Sequence, residues 1–479
     1  MMRSSAVKLL WALLLVMALI AGACGNDDGG TAEPPATAAP TAEATPEATA
    51  APTAAPTEGP TPAPTEAPEP TPEATAAPTE APTPEATPAP EPTAAPTPEA
   101  TPAPEPETHP SGLDVAAINA AAADWMEKAR IPGLVLAVTQ GGEEPWTFAW
   151  GVSDLTTEEP ITAGDYIRIG SVTKPVTTVA VLSMVDEGLL DLDTPVTAYL
   201  GDDWYGKYEH GPQITLRHLM GHTTGFVEYA FDPGFFVLGS ARLGVPIAPE
   251  EIVRFTTNYG PVAEFETEYN YSTAGHVIAG MIIEAVTGNP ADVEIRSRVL
   301  EPLGLENTYL PPNELPPVPV IDSYNGGLLY SAFTSLTRVP DSARHNFMGT
   351  DYLSTDEYPQ EFLQTAGWTG GGIETLIGDV PTMFRGLFTG GVISDESLTE
   401  MTTAGVNPGY GLGVGIDDIG GRLAYSHGGG TPAFRTRALY IPELDLALAA
   451  TTNVLPPDPD LQEFVDALLP IVMESWGLN

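Results

Sequence analysis

The chain has 479 residues, with 64 Asp and Glu against 18 Lys and Arg, a formal net charge of −46 at neutral pH. A surface of that sign repels phosphate backbones and anionic lipid headgroups, which excludes nucleic acid as a partner. Cys24 is the sole cysteine, so neither an internal disulfide nor a cysteine-based metal cluster is available. At the N-terminus Arg3 and Lys8 precede an apolar run, Leu9 to Ile20, and then the small residues of "AGAC". That order is the one of a secretory signal, and the run is short of the ~20 residues that cross a bilayer. A cysteine directly after such a signal looks like the lipid-attachment site of a bacterial lipoprotein, although Ala21 stands where the usual pattern has Leu. Residues 1–23 are therefore expected to be a lipoprotein-type signal peptide and Cys24 the lipidation site. The protein would then be extracytoplasmic, touching the bacterial cell membrane through that lipid alone, with simple secretion as the alternative.

Residues 24–110 are a Pro/Thr/Ala/Glu-rich segment, as in "TPEATAAPTEAPTPEATPAP". With almost no large apolar side chain it cannot bury enough surface to offset its ordering entropy, so it is expected to be a disordered linker. Residues 111–479 are long enough for a sizeable core. "LDVAAINAAAADWMEKARI" has helical apolar spacing, and "GLVLAVTQGGEEPWTFAWGVSD" predicts two strands joined by a Gly-Gly turn. A helix is predicted from Ser171 to a stop at Gly188, and another over "TAGHVIAGMIIEAVTG" with its stop at Gly288. Near the C-terminus "RLAYSHGGG", "AFRTRALYI" and "DLALAATTN" predict three successive antiparallel strands, followed by a helix over "LQEFVDALLPIVMESW". Strands at both ends with helices between them imply an α/β fold: one antiparallel sheet built from both termini, with a mostly helical lobe inserted.

The pattern S-x-x-K occurs twice, as Ser5 to Lys8 inside the signal and as Ser171 to Lys174. On a helix starting near Ser171, positions i and i+3 share a face, so the Lys174 ammonium can sit beside the hydroxyl. Free N–H groups at the helix start suit a developing anion, and Pro175 is tolerated only within the first turn. This pattern suits a serine nucleophile activated by a buried lysine, and equally an N-cap serine followed by an exposed one. His218 and His222 have metal-like i, i+4 spacing, but "HLMGH" lacks the glutamate of a zinc-protease helix, so no metal and no cofactor is implied. The glycines of "TGGGI" are followed by no lysine; they are expected to pack against a neighbouring strand rather than to cradle phosphate.

Five stretches decide between those readings by occurring in order: "IRIGSVTKPVTTVAVLSMVDEGLL", "ITLRHLMGHTTG", "EYNYSTAGHVIAGMIIEAVTG", "TGGGIETLIGDV" and "YSHGGGTPAF". Together they resemble the serine β-lactamase-like hydrolases, which include class C β-lactamases, D-alanyl-D-alanine carboxypeptidases and esterases. The resemblance implies a β-lactamase-like (transpeptidase-like) fold, with Ser171 as the acylated nucleophile and Lys174 as its partner. Tyr271 matches the tyrosine of the family's Tyr-x-Asn and would shuttle protons, with Tyr269 as a competitor; Thr273 replaces the asparagine. His427, Gly428 and Gly429 match the third motif, and the N–H of Gly430 would join that of Ser171 in an oxyanion hole. Thr273 lacks an amide's paired donor and acceptor, and a histidine at 427 is mostly neutral near pH 7 where a lysine would be charged. Arg435 or Arg437 in the next strand could supply the missing charge. The implied function is an exported serine hydrolase acting through an acyl-enzyme on small esters, D-Ala-D-Ala-type peptides or β-lactams, with peptidoglycan a candidate partner. A catalytically silent cell-envelope binding module of the same fold is the alternative.

Overall fold

A computed structural model describes residues 111–232, 234–235, 245–326, 340–356, 358–389 and 391–478. The signal, Cys24, the Ser5 to Lys8 pair and the linker lie outside the described residues. The strands described are β1 (Gly133–Gln140), β2 (Trp146–Gly151), β3 (Ile167–Arg168), β4 (Tyr324–Gly326), β5 (Arg344–Phe347), β6 (Thr350–Ser354) and β7 (Glu374–Thr375). They continue with β8 (Gly415–Ile419), β9 (Arg422–Gly430), β10 (Arg435–Ile441), β11 (Leu446–Thr452) and β12 (Val454–Leu455).

The first helix, α1 (Val115–Ala129), starts where the Asp114 carboxylate accepts the Ala117 N–H at 2.9 Å and stops at Arg130 in the left-handed conformation. It feeds β1, whose positions are buried almost throughout. The cause is that both faces of the sheet are covered, so alternate residues enter different cores. Leu134, Leu136 and Val138 point to a core shared with α1 and the C-terminal helix α5 (Leu461–Ser475), where the Trp125 and Phe464 rings lie 5.4 Å apart. Val135 and Ala137 point to the other core, which is continuous with the helical lobe.

The main sheet has the order β2-β1-β11-β10-β9-β8. All of its pairings are antiparallel, with Leu134 opposite Thr452 and Arg435 opposite both Thr452 and Gly430. The N-terminal hairpin is thus stitched to the C-terminal meander, in the α/β architecture expected, with the helical lobe between them in sequence. The lobe is centred on α2 (Thr173–Asp186), buried over most of its length, with α3 (Leu216–Met220) and α4 (Ala274–Thr287) packed about it. A second sheet, β12-β4-β6-β5, has no counterpart among the strands expected from sequence.

Two short strands, β3 and β7, pair with Arg168 opposite Glu374 and hold the chain leading into Ser171. Their side chains form a buried ion pair of 3.0 Å, and a second guanidinium nitrogen of Arg168 donates to Gln360. The pair fixes β3 relative to the glycine-rich turn before β7, and that turn borders the serine.

Candidate active site

Ser171 sits in a 3₁₀ turn, Gly170–Val172, that leads directly into α2. Gly170 adopts φ +55° and its backbone lies against that of Gly430: a Cβ there would come within 2.7 Å of the Gly430 carbonyl oxygen and 2.8 Å of its nitrogen. Only glycine fits, both for the conformation and for the approach. The same turn meets Gly429, so the last residues of β9 run along the serine.

Lys174, one turn on, is fully buried, which is rare for lysine without partners. Its Nζ donates to Ser171 Oγ at 3.0 Å, Thr273 Oγ1 at 3.1 Å and the Gly370 carbonyl at 2.7 Å. An ammonium has three hydrogens, and these three acceptors match them. Nζ also stands 4.8 Å from the centre of the Tyr271 ring. Ser171, Lys174, Tyr271 and Thr273 are therefore gathered around one buried cation.

Thr273 takes the place of an amide by accepting from the lysine through its hydroxyl, while its backbone N–H donates to Glu228 Oε2 at 2.6 Å. Burial raises the Glu228 carboxyl above the ordinary range, and the Lys174 charge and the N–H groups of Ala230 and Thr273 pull it back. The glycines of "TGGGI" do not simply line a strand: Gly370 packs on Thr273 and offers its carbonyl to Lys174, and Gly371 faces Gly170. Gly370 lies in one of the five family-like stretches and Glu228 in none; the proximity of both to the lysine arises from tertiary packing.

His427 is buried at the end of β9, with Nε2 2.9 Å from the Tyr410 hydroxyl and Nδ1 2.6 Å from the Gly428 carbonyl. Burial, reinforced by the Lys174 charge, pushes its imidazole down to about 3, so it is neutral at ordinary pH. The two arginines considered as substitutes for a cation here are already matched: Arg435 is buried against Asp460 at 3.2 Å, and Arg437 pairs with Asp417 at 2.5 Å. Each guanidinium is neutralised by a carboxylate that the sequence places far from it. His218 and His222 diverge, one closing a helix cap with Thr215 beside Glu266, the other buried behind Tyr271 with ring centres 4.4 Å apart.

A sequence-family profile described as Beta-lactamase matches residues 118–469. The chain belongs to the β-lactamase family. A penicillin-binding protein of Bacillus subtilis (strain 168) is 26% identical over 322 residues, covering 65% of this chain and 65% of that protein. Esterase EstB of Burkholderia gladioli is 29% identical over 210 residues, covering 40% of this chain and 50% of that one. The chain thus spans between half and two thirds of the length of these two relatives. Among solved structures, a D-stereospecific amidohydrolase from Streptomyces sp. superposes with a TM-score of 0.60 at 28% identity, covering 74% of this chain and 98% of that one. The family and the β-lactamase-like fold of this chain follow from those matches.

Proposed function

We propose that this β-lactamase family member is an exported serine hydrolase that works through an acyl-enzyme and prefers esters or amides lacking a free carboxylate. Ser171 Oγ attacks the substrate carbonyl while Tyr271, as the phenolate beside the Lys174 ammonium, accepts the serine proton and becomes the neutral phenol, and Lys174 holds the serine oxygen in place. The oxyanion lies against the N–H groups of Ser171 and Gly430. Tyr271 then protonates the leaving alkoxide or amine, the C–O or C–N bond breaks, and water repeats the sequence on the acyl-enzyme to release the acid and free Ser171. The 3.0 Å contact between Lys174 and Ser171 and the glycine edge beside it support this reading over a silent binding module.

The observation that carries the substrate preference is the neutrality of His427, with Arg435 and Arg437 paired to carboxylates. A charge-assisted hydrogen bond to a substrate carboxylate contributes about 1.5 to 3 kcal/mol, or roughly 10- to 150-fold. Neutral esters do not need it, and neither does an amino acid amide, a substrate class in keeping with the Streptomyces amidohydrolase and the Burkholderia esterase among the relatives. In the parent protein kcat/KM for p-nitrophenyl acetate and D-phenylalanine amide is expected to exceed that for a cephalosporin or a D-Ala-D-Ala peptide. His427→Lys is expected to shift the ratio toward the last two by roughly 10- to 150-fold. A parent enzyme that prefers the peptide or the cephalosporin would overturn the preference.

The signal-like N-terminus and the kinship with penicillin-binding proteins support an extracytoplasmic place, with Cys24 carrying the lipid and the Pro-rich segment acting as a tether. Cys24→Ser is expected to move the protein from the membrane to the soluble fraction. Retention of that variant on membranes would rule out Cys24 as the anchor.

A further inference from the structure

Behind the site a line of hydrogen bonds joins His222, Tyr410 and His427, and its direction can be worked out from its two ends. At one end the backbone N–H of Ser272, the neighbour of Tyr271, donates to His222 Nδ1 at 3.3 Å. A backbone N–H can only donate, so Nδ1 accepts and the hydrogen of a neutral His222 is on Nε2. At the other end the Gly428 carbonyl, which can only accept, lies 2.6 Å from His427 Nδ1, so that nitrogen carries the hydrogen and Nε2 is bare. Between them the Tyr410 hydroxyl is 3.2 Å from His222 Nε2 and 2.9 Å from His427 Nε2. A single arrangement satisfies every atom: His222 donates to Tyr410, and Tyr410 donates to His427.

We propose that Tyr410 is a positioning residue whose hydroxyl, aimed by His222, fixes His427 in one neutral tautomer at the strand edge of the site. The consequence drawn from it, an edge that meets substrate without charge, rests on the substrate reading above. A second observation sets the line apart from ordinary packing. His222 holds φ +56° while almost fully buried, a left-handed backbone that a non-glycine side chain adopts at a cost, and one that gathers at functional sites. The groups facing His427 are Lys174 of α2, Tyr271 ahead of α4, His276 of α4, His222, Tyr410, and Arg435 and Arg437 of β10. The three cations among them oppose a further charge, and Tyr410 occupies the nitrogen that would receive the proton. Burial keeps His222 neutral as well, so the donor to Tyr410 persists across ordinary pH.

The test is nitrogen-15 NMR of the full chain labelled at histidine, with the His427 signals assigned by their loss in His427→Gln. In the parent protein His427 is expected to show a protonated Nδ1 and a bare Nε2, unchanged from pH 8 to pH 5. In Tyr410→Phe it is expected to become a tautomer mixture. His222→Gln, which keeps an N–H donor for Tyr410, is expected to retain the parent spectrum, and His222→Leu to resemble Tyr410→Phe. A parent His427 protonated on Nε2, or a Tyr410→Phe spectrum identical to the parent's, would overturn the assignment. The parent measurement decides even if the variants fail to fold. The kcat/KM ratio of cephalosporin to p-nitrophenyl acetate is expected to stay flat from pH 8 to pH 5 in the parent and in Tyr410→Phe alike, because the burial and the Lys174 charge that keep His427 neutral are untouched by that substitution. The spectrum tests the tautomer and the ratio tests the substrate reading, so failure of one is not mistaken for failure of the other.

Discussion

Ser171→Ala is expected to abolish covalent labelling by a fluorophosphonate probe and to lower turnover of p-nitrophenyl acetate by about 10⁴-fold or more, the scale seen when a hydrolase loses its nucleophile. The basis is local: of the two hydroxyls that the buried Lys174 ammonium touches, Ser171 at 3.0 Å is the one beside the glycine end of β9. Lys174→Ala is expected to keep the nucleophile but slow acylation by about 10²- to 10⁴-fold, the usual worth of positioned acid–base help. It removes one cation from three acceptors, so a loss of stability accompanies the loss of rate. Ser5→Ala, at the other S-x-x-K, is expected to change neither labelling nor turnover. Labelling that survives in Ser171→Ala would end the acyl-enzyme reading.

Gly429→Ala is expected to be nearly as damaging without touching a reactive atom. A Cβ at Gly429 would lie 1.9 Å from the Ile169 carbonyl oxygen, a backbone atom held by the turn that carries Ser171. Neither partner is the loose end of a side chain, so β9 and the Ser171 turn must separate by about an ångström, a displacement that can cost 10²-fold in rate. Overpacking of this kind also costs about 1 to 3 kcal/mol of stability. Gly428→Ala is the control, because its Cβ would meet only the tip of the Arg435 side chain at 3.2 Å, which can shift. Equal kcat/KM values for the two variants, with parent-like thermal midpoints, would show that the contact does not set the site.

Much of the main sheet is legible in the sequence because β1 and β11 are largely apolar runs bounded by turns, which is how strands covered on both faces read. The strands missed are those without that signature. β8 reads "GIDDI" and lies at an edge, and β4 is three residues long. The start of α2 falls at Thr173 rather than Ser171 because the first turn tightens to 3₁₀ around Gly170. Within the site, the spacing of Ser171 and Lys174 on one helical turn was readable, as was the place of Tyr271 before α4. The Glu228 carboxylate and the Tyr410 hydroxyl were not, since each reaches the site from a segment that no quoted pattern covers, and the stretches holding Gly370 and His222 imply no contact for either. The pairing of Arg435 with Asp460 was unreadable for the same reason, because nothing near Arg435 in sequence announces that carboxylate.

The pairing of β1 with β11 sets Leu134 against Thr452, the largest loop to close in the main sheet. Contacts so far apart pay their closure entropy before they return any stability, so they form late and together. A growing chain acquires Ser171 and Lys174 early but lacks the glycine edge of β9, and the strands that hold that edge in place, until its last segments have been made. The pieces of the site exist for most of synthesis as separate fragments, each chemically ordinary. Closing the sheet assembles them in one cooperative step, so any product cut short before β9 carries the serine without the Gly429–Gly430 backbone that lies along it.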